Sequence, residues 1–267
     1  MSPSASKAHR AFLPSTNAAL AELERVSGKP VLIVDDPALQ VLAKIRRAGP
    51  AQASHLLRLQ REGAASDYLI TSQCRFLLRG MAQPDRPTQV REKPGMLKRL
   101  CSELEALYPS MPAAKVGELG RFILSGLMLQ LRSMGPGLLV DRWIRGHCPD
   151  LHQAQAETIE GQINDNLGVL SSSNRSSFPA QVFDASVGMN AAYAIFGGDL
   201  LGCPHLGVPY VSGGYGRVAR QLIQIATTSN STAAAAESAE PTDQAIIDGW
   251  AAALGLNGWY EWVPVAE

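Results

Sequence analysis

The chain lacks most of the features that assign a function quickly. It has no excess of either charge: 24 Lys and Arg stand against 24 Asp and Glu. Surfaces that bind duplexes draw much of their affinity from neutralising phosphates, so this balance gives no support to a nucleic-acid partner. Aromatic residues are 6% of the chain. Trp250, Trp259 and Trp262 have no Lys/Arg cluster around them, which favours packing on a core over stacking on bases. The cysteines Cys74, Cys101, Cys148 and Cys203 are widely spaced and form no CxxC pair, so no disulfide scaffold is expected. The most apolar stretch, Phe122 to Leu131, is about half of the roughly 20 residues a membrane span needs. The N-terminus, MSPSASKAHRAFLPS, has neither an apolar run nor a cleavage signal. These two shortages lead us to expect a cytoplasmic protein outside the membrane. No internal repeat is visible.

The chain does carry enough material for a core. An apolar fraction of 46% over 267 residues supports one domain with appendages. Residues 1–10 are polar and read as disordered. Ala11 to Val26 reads as a helix, ended by Ser27-Gly28-Lys29-Pro30. Pro30 to Val34 is a β-branched run that stops at an Asp-Pro turn. A second apolar stretch covers Val41 to Ile45, and Ala53 to Leu59 alternates as a strand. Helical patterns follow over Ser66 to Met81, Leu97 to Leu107, Ala113 to Met134, Leu138 to Arg145, Leu151 to Leu170, Ala180 to Leu201, Tyr215 to Ala226 and Asp243 to Leu254. Gly135-Pro136-Gly137 reads as a break between two of them. Thr227 to Thr242 is low in complexity and reads as a linker, and an aromatic tail follows Gly258.

The resulting expectation is a predominantly helical α+β protein, with a small N-terminal sheet on a helical body. Its divisions are a tail and helix over 1–27, a main domain over 28–226, a linker over 227–242 and a C-terminal helix with its aromatic tail over 243–267.

The segment Tyr68-Leu69-Ile70-Thr71-Ser72-Gln73-Cys74-Arg75-Phe76-Leu77-Leu78-Arg79 follows the strands and opens a helix. It resembles the active-site helix of zincin metallopeptidases, in the form YLIxHExGHxLR, with Tyr68, Leu69, Ile70, Leu78 and Arg79 fitting the flanks. The stretches 140–144, 162–167 and 189–193 are similar to an uncharacterised group of bacterial zincin-like proteins. In HExxH helices two His at i and i+4 bind zinc and the Glu acts as general base. Here Ser72 stands at the first His position, Gln73 at the Glu position and Phe76 at the second His position. Asp141, at the place of a later acidic ligand, is the one member still able to bind metal. A single carboxylate does not hold zinc in a tetrahedral site.

The resemblance therefore implies a zincin-like scaffold without peptidase activity and without a cofactor. Such a pseudo-metallopeptidase would act as a regulatory module that binds an unidentified protein or peptide, held along the edge of the strand from Ala53 to Leu59. No catalytic residue is assigned, and the sequence sets no oligomeric state. The alternatives are an active hydrolase with a non-standard metal site and an unrelated helical interaction protein.

Four other constellations were weighed. His147, Cys148 and His152, with Cys203 and His205 far downstream, are ligand types suited to zinc, but their spacing matches no standard finger. Asp150 in that stretch reads as a helix N-cap. Val31 to Asp36 looks like the first strand of a receiver domain, although no alternating βα pattern follows. Cys74 beside Arg75 reads as a buried structural thiol, with His55 as its one candidate base. Ser212-Gly213-Gly214-Tyr215-Gly216 is a weak candidate anion cradle ahead of a helix.

Overall fold

The computed structural model describes residues 11–39, 41–60, 63, 65–82, 88–228 and 240–264. The polar stretch 1–10, the turn at Arg61-Glu62, the prolines Pro84 and Pro87 and most of the 227–242 linker lie outside the described residues. Two compact units are present. One combines 1–78 with 144–155, and the other combines 79–143 with 156–267. The chain is α+β and predominantly helical.

The first unit opens with α1 (Pro14–Ser27). Pro14 sits at the first helical position, where its fixed φ suits the helix and its missing N–H is not needed. Gly28, at φ +68°, ends the helix by donating its N–H to Glu24 O at 2.7 Å. No side chain of α1 caps its start. Two distant carboxylates do so instead. Asp67 accepts from Leu13 N at 2.8 Å, and Asp150 accepts from Ser15 N at 3.0 Å and from the Ser15 hydroxyl. Asp150 is thus not the cap of its own helix, as expected from sequence. It lies in a 3-10 turn, Pro149–Leu151, and serves α1.

Three strands follow: β1 (Val31–Asp35), β2 (Ala43–Arg46) and β3 (His55–Leu59). Their spatial order is β1-β3-β2, with β1 parallel and β2 antiparallel to β3. His55, Leu57 and Leu59 are buried while Arg58 is exposed, the two-residue alternation of a sheet with one covered face. This order corrects the expected binding edge. The strand from His55 to Leu59 is central, with both sides of its backbone already paired. The unit continues into α2 (Ser66–Met81).

The second unit holds β4 (Thr88–Glu92), α3 (Met96–Leu107), most of α4 (Ala113–His147) and of α5 (His152–Asn166), α6 (Ser172–Ser177), α7 (Ala180–Leu201), α8 (Val208–Ser212), α9 (Gly216–Thr227), α10 (Asp243–Leu254) and β5 (Tyr260–Pro264). Its core includes Leu104, Leu124, Leu131, Ile163, Leu222 and Trp250, all almost fully buried. Small residues on α7 allow close helix approach. A Cβ added at Gly197 would lie 2.9 Å from Ile159, and one at Gly188 would lie 3.1 Å from Leu254.

One expectation fails in this unit. Gly135-Pro136-Gly137 does not break the chain, and Pro136 lies inside the continuous helix α4. An interior proline costs about 3 kcal/mol. Packing offsets this cost: a Cβ at Gly135 would lie 2.5 Å from Ile246 and 3.1 Å from Trp250, so α10 seats directly on this turn. The tail after Gly258 packs on the core through Trp259 and Tyr260, both buried. It forms β5, antiparallel to β4 in the register Glu92↔Tyr260 to Thr88↔Pro264.

By length and composition α4 is the one helix among the described residues able to cross a membrane. Of its most apolar window, 61% is buried within the structure. Leu97, Cys101 and Leu104 of α3 crowd it at Gly120, and α10 crowds it at Gly135.

Candidate functional site

The α2 residues singled out by the resemblance sit against the rest of their unit. Ser72 and Phe76, four residues apart, share one face of the helix. Ser72 is buried, and Phe76 is half-buried with no donor atom. Gln73, at the general-base position, accepts the Ile45 N–H through Oε1 at 3.0 Å and so ties α2 to β2. Cys74 is fully buried, and burial pushes its thiol up to about 12. A thiol in that state supplies no thiolate near neutrality, so the reading of Cys74 as structural stands. Asp141, on α4, belongs to the other unit.

His55 is committed as well. Its Nδ1 accepts from Ala48 N at 2.9 Å, which leaves the proton on Nε2, 2.9 Å from the Ser27 hydroxyl. The Ser27 hydroxyl in turn donates a hydrogen bond to Leu23 O at 2.6 Å. Burial first, then the charges of Arg47 and Lys29, lower the His55 pKa from 6.5. The ring is a neutral strut with both nitrogens in use.

The other candidates do not assemble. His147 is exposed. Cys148 is 2% exposed, and its thiol is raised mainly by burial. His152 Nε2 bonds to Arg145 O at 2.8 Å. Cys203 and His205 belong to the second unit. Among the described residues no group of three or more His, Cys, Asp or Glu side chains is arranged to hold a metal ion. Asp36 accepts from Ala38 N at 3.2 Å and pairs with Arg58 at 3.3 Å, which makes it a turn residue. In the 212–216 segment, Gly213 N, Gly214 N and Tyr215 N are taken by Pro209, Val211 and Tyr210 carbonyls, so no cradle of free donors forms.

The structure adds an open sheet edge that the sequence reading had placed on the wrong strand. The ladder to β3 uses Pro30 O and Asp36 N, so the even-numbered residues of β1 turn their backbone groups inward. Alternate residues of a parallel strand face opposite neighbours. Val31, Ile33 and Asp35 therefore turn their N–H and C=O groups outward, and among the described residues no strand pairs with that side. On the far side of the sheet, Gln73 takes the outward N–H of Ile45, so the β2 edge is partly closed.

No protein-family model, curated protein or solved structure matches this chain.

In the helical unit, three stretches singled out by the resemblance contribute to one buried polar group. Tyr193 OH donates to Gln162 Oε1 at 2.8 Å. Burial first, and the charge of Asp141 second, raise the Tyr193 phenol well above 10. Asp141 itself is 5% exposed. A phenol raised in this way stays protonated near neutral pH and acts as a hydrogen-bond donor.

Proposed function

We propose that this chain is a binding module, related in layout to zincin metallopeptidases but without zinc–water chemistry, and that it holds an extended peptide segment of a partner protein along β1. The observation that carries this reading is the outward row of backbone groups at Val31, Ile33 and Asp35. An extended peptide added there gains main-chain hydrogen bonds, and its side chains supply specificity. The order of strands followed by the α2 helix supports the zincin-like ancestry, and the bond from Gln73 to β2 accounts for a glutamine where a general base would stand. Ser72, Phe76, Cys74 and His55 offer no activated nucleophile or ligand set in the surrounding unit.

The test is a selection of unstructured displayed peptides on the full chain, repeated with Ile33→Pro. Proline at 33 removes an outward N–H and leaves the ladder to β3 intact, the kind of edge position where proline is tolerated. Selected peptides are expected to bind wild type and to lose about tenfold or more in affinity for the variant, with the helical circular dichroism unchanged. Equal binding by both forms would remove the edge from consideration.

A further inference from the structure

One face of the β1-β3-β2 sheet is covered at its centre, where His55, Leu57 and Leu59 are buried, and the other is the more exposed, with Val34 and Leu56 half-buried on it. The more exposed face carries Leu32 and Val34 from β1, Leu56 and Arg58 from β3, and Lys44 and Arg46 from β2. The register arranges them in two rows, Leu32–Leu56–Arg46 and Val34–Arg58–Lys44. Leu32 is 53% exposed, and all three cations are exposed.

The face thus has an aliphatic half along β1 and a cationic half along β2. Lys44 and Arg58 stand directly opposite each other. Like charges in that position destabilise a sheet. Among the described residues the one carboxylate paired with these cations is Asp36, 3.3 Å from Arg58. The chain is electrically neutral as a whole, so this excess is local.

We infer that this face docks an acidic amphipathic helix of a partner protein. The inference is separate from the β1 edge and does not depend on it. Three strands span about 10 Å, the width of one α-helix. A helix with one apolar row and an adjacent row of Glu or Asp covers Leu32, Val34 and Leu56 with the first row. Its carboxylates meet Lys44, Arg46 and Arg58 with the second. Bound carboxylates also relieve the Lys44–Arg58 repulsion. Single-stranded nucleic acid fits less well, because none of the six side chains is aromatic and half are aliphatic.

The probe is a synthetic, fluorescently labelled amphipathic helix of about 14 residues, or about 21 Å, with a leucine row beside a glutamate row. Controls are a scrambled peptide, a peptide with lysine in place of glutamate, and an oligothymidylate. Anisotropy titrations use the full chain. The glutamate helix is expected to bind best and to weaken as salt rises. The double variant Lys44→Glu, Arg46→Glu is expected to bind it about tenfold or more weakly and to gain affinity for the lysine peptide. Lys44→Gln alone is expected to raise the melting temperature of the free protein while weakening the complex, a combination that a purely structural role for Lys44 does not produce. It also serves as the test should the double variant unfold. Ile33→Pro should leave this binding unchanged, which separates the face from the edge. Failure of the wild type to bind the glutamate helix, equal binding of the scrambled peptide, or preference for the oligonucleotide overturns the inference.

Discussion

Protonating His55 means breaking the bond from Ala48 N–H to Nδ1 and placing a cation beside Arg47 and Lys29. Its folded pKa lies below the unfolded 6.5. Above pH 6.5 both states are neutral at this group, and its contribution to stability is complete. As pH falls below 6.5 the unfolded chain takes up the proton first, and stability drops until the folded pKa is passed. We therefore expect the urea midpoint to fall between about pH 7 and pH 5, and His55→Gln to flatten that slope. A pH-independent midpoint in the wild type would rule out the neutral strut. Asp150 gives a second test at a single residue. Burial raises its carboxyl, but the bonds from Ser15 and from its own backbone N–H, with the charge of His152, together hold it below the usual range. Asp150→Ala should cost about 1 kcal/mol, the usual loss for a helix cap, read from chemical denaturation.

Among the elements, α4 and α10 are locked together by a missing side chain. Gly135→Ala improves helix propensity by about 1 kcal/mol, yet its Cβ would meet Ile246 at 2.5 Å. The overpacking should dominate, giving a net loss of about 1–2 kcal/mol, and Ile246→Ala in the same chain should recover part of it. Equal stability of Gly135→Ala and wild type would show that the turn against α10 is loose.

The start of α10 is held by Arg79. Its guanidinium binds Asp243 at 2.9 Å, the Pro241 carbonyl and the carboxylate of Glu240. Burial raises the Asp243 carboxyl even with Arg79 beside it. Removing the arginine leaves that group without its partner, so Arg79→Met should cost about 3 kcal/mol. Glu240 is 45% exposed, and Glu240→Gln should cost under about 1 kcal/mol. Reversal of that order in thermal melts would mean that the exposed pair dominates.

At the scale of the molecule, no group of three or more His, Cys, Asp or Glu side chains among the described residues is arranged to hold zinc. Protein purified without chelator is expected to carry well under one equivalent of zinc by elemental analysis. A full equivalent, together with peptide hydrolysis that a chelator abolishes, would replace the binding reading with an enzymatic one. The neutral charge of the chain makes no demand on a partner, whereas the cationic half of one sheet face does.

Local pattern was enough to read most helices. The helices at 180–201 and 243–254 appear at the bounds read from the sequence, and in the structure each is ended by a glycine in the left-handed region, Gly202 and Gly255. That Ser72 and Phe76 supply no imidazole was equally plain, because ligand chemistry belongs to residue type. Pairing and packing were not legible. Nothing local announces that Glu92 and Tyr260 are strand neighbours, since that contact spans most of the chain. Gly135-Pro136-Gly137 carries a strong local signal to stop, and contacts from α10, more than a hundred residues later, override it. That β1 and not β3 lies at an edge of the sheet was hidden for the same reason. Alternation shows which face of a strand is covered, but the order of strands in the sheet is set by long-range hydrogen bonds, and that order alone decides which backbone groups remain free.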